Sequence, residues 1–227
     1  MINLFGGYDS REGIGFHLFV HSVLKRASAP VAVSALMEGG VPVGTNAFTY
    51  SRFLVPWLMD FKGHAIFADA ADMVMLGDIA ELDALFDPNF AVQVVQHPNY
   101  STKNRVKYIG TSMECPNRDY ARKNWASLMI FNCEHPYWRP VTPEALATIS
   151  GLSLLQFGGL RLREEKGMPP EVGVLPPQWN RLADEGHPTD DAKVLHWTAG
   201  IPGFKHYENS PAAQVWRDEF AEMLRLG

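Results

Sequence analysis

Asp69 and Asp72 are the residues whose type and placement speak most directly of chemistry. They follow the apolar run His64 to Ala68, and the residues between them, Ala70 and Ala71, are small. Two carboxylates at one strand end can hold a hard divalent cation together with phosphate oxygens. The same pair also reads as a helix cap beside a surface acid, and the spacing alone leaves both open. A third candidate ligand, His196, ends the short apolar run Val194-Leu195. The turn after it, Trp197-Thr198-Ala199-Gly200-Ile201-Pro202-Gly203-Phe204, is small and glycine-bearing, so its backbone amides can face an anion. A histidine at a strand end serves equally well as a hydrogen-bonded structural residue. His17 and His21 share a helix face at i and i+4, but Phe16, Phe19 and Val20 around them mark the border of a packed helix.

Two further segments bear on an anionic ligand. Arg52 follows Tyr50 and Ser51 in the early turns of a predicted helix, where its planar fork either binds phosphate or stays solvated. The turn Gly6-Gly7-Tyr8-Asp9 after the first strand can admit a nucleotide: the glycines allow close approach, Tyr8 offers a stacking face and Asp9 an acceptor. It is neither a GxGxxG nor a Walker loop. Asp78 precedes Ile79-Ala80-Glu81-Leu82 as a capping-box residue, a structural role.

The elements that must position these groups alternate in type. Ile2 to Phe5 predicts a strand, and a helix capped by Asp9 or Ser10 runs on Phe16, Phe19, Val20, Val23 and Leu24 until Ser28 and Pro30. Val31 to Leu36 is a second strand, and Gly39-Gly40-Val41-Pro42 a turn. A helix is predicted over Tyr50 to Asp60 with a kink at Pro56, then a strand over His64 to Ala68 and a helix from Asp78 to Phe86. Phe90 to Val95 and Trp125 to Phe131 are later strands, separated by a polar, basic flap from Gln96 to Asn124. Thr142 to Ser150 reads as a short helix, 158–188 as a stretch rich in Gly, Pro and charge, and Pro211 to Leu226 as a closing amphipathic helix. Such alternation implies an α/β fold with a largely parallel central sheet covered by helices on both faces, which binds ligands beyond the carboxyl ends of its strands.

Composition narrows the class. The 227 residues fit a single domain over 1–227, and 46 % hydrophobic with 20 % charged residues describes a folded chain. A net charge of −5 gives no strong nucleic-acid footprint. Cys115 and Cys133 match no disulfide framework or zinc pattern. No stretch approaches the roughly 20 apolar residues of a membrane span, and Asp9 leaves no room for a signal peptide. A cytoplasmic location is therefore expected.

Taken together, these segments resemble the GT-A glycosyltransferases of family eight, the glycogenin and galactosyltransferase group. Thr49-Tyr50-Ser51-Arg52-Phe53-Leu54-Val55-Pro56 is similar to the family's arginine helix. Ala65-Ile66-Phe67-Ala68-Asp69-Ala70-Ala71-Asp72-Met73 is similar to its DxD strand end, and Gly77-Asp78-Ile79-Ala80-Glu81-Leu82 to the helix that follows. Downstream, Trp125 to Asn132 resembles the "NAGVMLIN" strand, Leu175-Pro176-Pro177-Gln178-Trp179-Asn180 the "LPxxWN" segment, and Val194-Leu195-His196-Trp197-Thr198 the metal histidine, so the resemblance covers residues 2 to about 207. It implies that Asp69, Asp72 and His196 hold Mn²⁺ or Mg²⁺, that Gly6, Tyr8 and Asp9 line base and ribose, with Trp197 and Gly200 also at the cofactor, and that Arg52 approaches the sugar-phosphate end of the donor. It further implies sugar transfer from a nucleotide-diphosphate sugar, a UDP-sugar, to an unnamed acceptor, with Asp72 and Arg52 catalytic.

Three features depart from the family. The acids are separated by two residues instead of one, so either Asp69 or Ala70 takes the first acid's place. Where a "DQ" pair is expected the chain reads Leu155-Gln156-Phe157-Gly158-Gly159, and Gly200-Ile201-Pro202-Gly203-Phe204 replaces "GxxKPW". A nucleotidyltransferase and a non-catalytic nucleotide-sugar-binding module are the alternatives. Against the first stands the lack of a Gly- and Lys-rich phosphate loop near residue 10.

Overall fold

A computed structural model describes residues 1–37, 46–168 and 171–225; the turn expected at Gly39-Gly40-Val41-Pro42 lies outside the described residues. The strands are β1 (Ile2–Gly7), β2 (Val31–Leu36), β3 (His64–Ala68), β4 (Met73–Met75), β5 (Val92–Val95), β6 (Val106–Lys107), β7 (Cys115–Pro116), β8 (Leu128–Asn132), β9 (Val172–Leu175), β10 (Arg181–Leu182) and β11 (Val194–His196). The α-helices are α1 (Gly13–Arg26), α2 (Val55–Leu58), α3 (Ile79–Asp83), α4 (Pro143–Leu146), α5 (Gly151–Leu155), α6 (Gly158–Glu165) and α7 (Ala213–Arg225).

Period-two alternation builds the central sheet, ordered β2-β1-β3-β8-β5-β9. Phe5, Ala65, Phe67, Val92, Val94, Met129 and Phe131 face one core, which α2, α4, α5 and α6 cover through Val55, Leu146, Leu154 and Leu160. Leu4, Ile66, Ala68, Val95, Leu128 and Ile130 face the other, covered by α1 and α3 through Phe16, Phe19, Val23, Ile79 and Leu82. A third core joins Leu18 of α1, Val74, Leu195, Trp197, Ile201 and Trp216 of α7. Among the described residues no helix is long and apolar enough to cross a membrane.

The pairings β1–β2, β1–β3 and β5–β9 are parallel, whereas β8 runs antiparallel to both β3 and β5. The reason lies in the flap. The chain leaves β5 at the carboxyl edge, stays there from Gln96 to Asn124, and re-enters the sheet from that same edge. The amino end of β8 therefore joins the carboxyl ends of β1 and β3: Gly6 pairs with Ala68, Ala68 with Leu128, and Asp69 N donates to Ser127 O at 2.8 Å.

Several elements differ from expectation. The helix predicted over Tyr50 to Asp60 is a 3₁₀ turn, Ser51–Leu54, followed by the single turn α2 with Pro56 in its first turn. Proline lacks an N–H and suits a helix start better than an interior, so the helix begins where a kink was foreseen. The stretch 158–188 holds α6, β9 and β10. The flap carries the hairpin β6–β7 and buries His97, Thr102, Tyr108, Asn117 and Lys123. Asp78 caps α3, accepting from Ala80 N at 2.9 Å.

Two contacts fix α1 against its surroundings. A Cβ at Gly15 would lie 1.9 Å from Ala71 O, so only glycine lets the helix approach the Asp69–Asp72 turn. Gly15→Ala is expected to cost about 2–3 kcal/mol by forcing that backbone apart, more than the roughly 1 kcal/mol gained in helix propensity; a denaturant titration measures the difference. At the other end, Glu219 of α7 accepts from Lys25 and Arg26. Burial pushes its carboxyl up, and the two cations outweigh that and hold it below its ordinary value. Such a group stabilises the fold above the ordinary glutamate range and loses its contribution as pH falls through the depressed value. Glu219→Gln is expected to lower stability by about 1 kcal/mol at neutral pH and by almost nothing below about pH 4, read by thermal melting across pH.

Candidate active site

The turn between β3 and β4 is where the sheet delivers its carboxylates. Ala70 takes a left-handed backbone with φ 61°, Ala71 N donates to Asp69 O at 2.7 Å, and Met73 N to Ala70 O at 3.0 Å. A non-glycine residue there costs roughly 1 kcal/mol or more, and the Ala70 methyl is buried in the core, where glycine would leave a gap. The bent turn accommodates the extra residue between the acids. Asp69 itself, not Ala70, faces the site.

The antiparallel register of β4 and β11 pairs Met73 with His196 and so sets the histidine beside Asp72. Trp197 N reinforces this by donating to Asp72 O at 2.9 Å. Asp69, Asp72 and His196 each offer a ligand atom within 4.8 Å of the others. The Oδ1 atom of Asp72 is buried with no hydrogen-bond partner among the described residues, as expected of an atom that waits for a cation. Two carboxylates and one imidazole form a donor set that suits Mn²⁺ or Mg²⁺. The three residues therefore fit a divalent metal.

A chain of hydrogen bonds orients the histidine. His97 is buried, and that burial, with His187 nearby, depresses its pKa to about 3, so it is neutral. Its Nε2 accepts from Asn180 Nδ2 at 3.3 Å, which also donates to Ser127 Oγ at 2.8 Å. The amide oxygen of Asn180 then faces His196 Nδ1 at 3.0 Å and accepts its proton. Nε2 is left toward Asp72 Oδ2, at 3.3 Å. This is how outer-shell groups commonly fix a metal histidine. Sequence reasoning assigned no role to His97 or Ser127, because pairs so distant along the chain leave no local signal.

Electrostatics follow from burial and neighbours. Burial raises the Asp69 carboxyl to about 6, although the Arg52 guanidinium opposes it. Burial also pushes Asp72 up, but His196 outweighs it and holds the carboxyl below its usual value. Reciprocally, Asp72 holds His196 above its ordinary value against desolvation. Glu12, buried next to this cluster, is pushed well above the carboxylate range by burial and by Asp72. Asn46 Nδ2 donates to Glu12 Oε2 at 3.2 Å and is shared with Tyr108 Oη at 3.2 Å.

Arg52 is nearly buried, its guanidinium over the rings of Phe48 and Phe67. Its Nη1 donates to Asp69 Oδ1 at 2.5 Å and to Ala126 O at 2.7 Å, and its Nε to Thr49 O at 3.0 Å. It thus anchors the first acid. Asp69, Asp72 and Arg52 line a cavity of about 300 Å³ whose remaining wall includes Lys107, Tyr108, Asn117, Lys123, Ser127 and Leu155. Leu155 stands where the resemblance leads one to expect polar groups.

The other sequence candidates lie outside that cavity wall. Gly6 sits beneath the turn, a Cβ there meeting Phe16 and Ala70. Tyr8 is half-buried, edge-on to Phe16 at 5.2 Å. Asp9 is directed inward, accepting from Arg11 N, Nε and Nη2 and from Ala47 N. The Trp197 ring belongs to the third core and donates to Pro211 O at 2.9 Å, so only its backbone serves the site. Gly200 packs against the Tyr207 ring, where a Cβ would lie 2.4 Å away.

Comparison with known proteins agrees with this architecture. No family model matches the chain. Its fold is similar to that of the bifunctional glycosyltransferase WbbM in its apo form, with a TM-score of 0.65 and 14% identity over 98% of this chain and 49% of that one, so the chain spans about half of WbbM. It is similar to the galactosyltransferase LgtC in complex with donor and acceptor sugar analogs, with a TM-score of 0.62 and 11% identity over 97% of this chain and 96% of that one. The glycosyltransferase GlyE of Streptococcus pneumoniae TIGR4 aligns with a TM-score of 0.63 and 12% identity over 99% of this chain and 62% of that one. These likenesses establish the GT-A glycosyltransferase fold. By sequence, Protein CDI of Arabidopsis thaliana is 34% identical over 96% of this chain and 86% of its own length. The chain therefore belongs to the family of the Arabidopsis protein CDI, on a GT-A glycosyltransferase fold.

Proposed function

We propose that the chain is a metal-dependent glycosyltransferase that moves a sugar from a nucleotide-diphosphate sugar, a UDP-sugar, to an acceptor. The meeting of Asp69, Asp72 and His196 within reach of one ion, with both acids on the wall of a cavity that also carries Arg52, Lys107 and Lys123, carries the reading. LgtC, crystallised with donor and acceptor sugar analogs, supports a nucleotide-sugar donor and a separate acceptor. Mn²⁺ or Mg²⁺ bound at the three residues supplies Lewis-acid stabilisation of the charge that develops on the departing diphosphate.

The protein's own groups do the rest. Asn180 holds His196 with Nε2 toward the cation site, and Arg52 holds Asp69 in place while its ion pair keeps the buried carboxylate from standing uncompensated. Among the described residues that line the cavity, Asp69 and Asp72 are the only carboxylates, and both belong to the cation site. Stabilisation of the leaving group is the catalytic effect these two acids support. The half-buried Tyr8 ring, just after β1, is the stacking face we assign to the base, and Gly6 and Gly200 are assigned to the cofactor with it.

Two measurements test this. Calorimetric titration of UDP in the presence of Mn²⁺ should show metal-dependent binding that Asp72→Asn weakens by about a hundredfold or more, with an unchanged melting temperature. Equal binding by the variant, or none by the wild type, contradicts the assignment. Because protons on His196 and on Asp69 both compete with the metal, Mn²⁺ affinity should fall as pH drops through the raised His196 value and more steeply below about 6, where Asp69 also takes a proton. A flat profile between about pH 5 and 7 contradicts both residues as ligands.

A further inference from the structure

The flap brings two lysines to the cavity that the cation site leaves unused. Lys107, at the end of β6, lines the wall with Asp69 and Asp72. Those acids are nevertheless engaged elsewhere: Arg52 takes Asp69, and His196 takes Asp72. Among the described residues Lys107 forms no ion pair, and its ammonium lies 5.8 Å from the centroid of the Tyr108 ring.

Its position is fixed from behind. Tyr108 N donates to Ala199 O at 2.7 Å and Ile109 N to Tyr207 Oη at 3.0 Å, so the segment after β11 grips the flap backbone immediately beyond Lys107. Lys205 of that segment lines a different cavity, with Ile109 and Phe204. Lys123 lines the same cavity as Lys107 and is nearly buried. Its ammonium donates to the neutral acceptors Asn117 Oδ1, at 2.5 Å, and Arg118 O, at 2.9 Å, while the nearest carboxylate, Asp119, stands 4.0 Å away. The half-buried Lys107 and the buried Lys123 thus meet at one cavity, with the exposed Arg118 on the same wall, and burial of the Lys123 ammonium is costly unless an anion joins it.

The donor's charge supplies the match. With Asp69, Asp72 and Arg52, a divalent cation leaves the site one net positive charge, so a nucleoside diphosphate sugar, with its two phosphate charges, still needs a cation from elsewhere. We infer that the flap binds the donor diphosphate through Lys107, with Lys123 as the second cation behind it. This inference rests on the donor reading above. It makes the segment after β11 a positioning element that acts through the flap, and gives the departing diphosphate a cationic contact besides the metal.

The test compares UDP with uridine, each titrated with Mn²⁺ present into the wild type, Lys107→Met and Lys107→Arg, with melting curves to confirm folding. Lys107→Met should weaken UDP binding on the order of tenfold to a hundredfold and leave uridine unchanged, and Lys107→Arg should recover most of the loss. Equal weakening of UDP and uridine, or UDP binding within about twofold of wild type, overturns the inference while the donor reading stands. Absence of UDP binding by the wild type overturns both.

Discussion

Everything in this molecule that concerns the site depends on three ligand atoms meeting at one point on the sheet edge. Asp69 and Asp72 belong to a tight turn and His196 to a strand far along the chain, so their meeting requires two independent constraints. One is the left-handed Ala70, which folds the turn so that acids separated by two residues face the same space. The other is the β4–β11 register, which pairs Met73 with His196. Slipping that register by one residue would turn the histidine to the opposite face, because side chains alternate along a strand. Gly15 completes the arrangement by letting α1 lie against Ala71 O.

Concentrating charge in this way is expensive, and the surroundings are organised to limit the cost. Asp69 gains Arg52, Asp72 gains His196, and burial beside them pushes the Glu12 carboxyl up, which disfavours a third ionised carboxylate. Arg52 is itself held by two carbonyls and two aromatic rings, so the pair Arg52–Asp69 is rigid on both sides. On the other side, neutral His97 fixes Asn180, and Asn180 fixes His196. The cluster is preorganised from two directions by residues outside the three candidate ligands.

Strands β1, β2, β3, β5, β8 and β11 were legible in the sequence because each is a short apolar run, and β1, β3 and β11 are closed by glycine, aspartate or histidine. The candidate ligands were legible for the same reason, since polar residues at the carboxyl ends of such strands stand out. The pattern left open whether Asp69 or Ala70 takes the first acid's place; the left-handed turn at Ala70 brings Asp69 within reach of Asp72 and His196, an angle no residue type announces. The region 158–188 hid α6 and β9, whose helical face is short and whose strand holds a glycine, Gly173. The flap was read as a polar loop, yet Thr102 Oγ1 and Lys103 N donate to the partly hidden Glu185, a tertiary tie that composition does not reveal. Trp197 shows the converse: adjacency to His196 suggested a ligand contact, but alternation along the strand sends its ring to the core.

The central claim is that Asp69, Asp72 and His196 together bind a divalent cation that meets a nucleoside diphosphate. Anomalous diffraction from a crystal grown with Mn²⁺ and UDP tests it most directly. The account predicts one manganese peak bounded by Asp69, Asp72 and His196 Nε2, with phosphate oxygens completing its coordination. A peak elsewhere on the chain, or UDP bound with no manganese at these three residues, would contradict it.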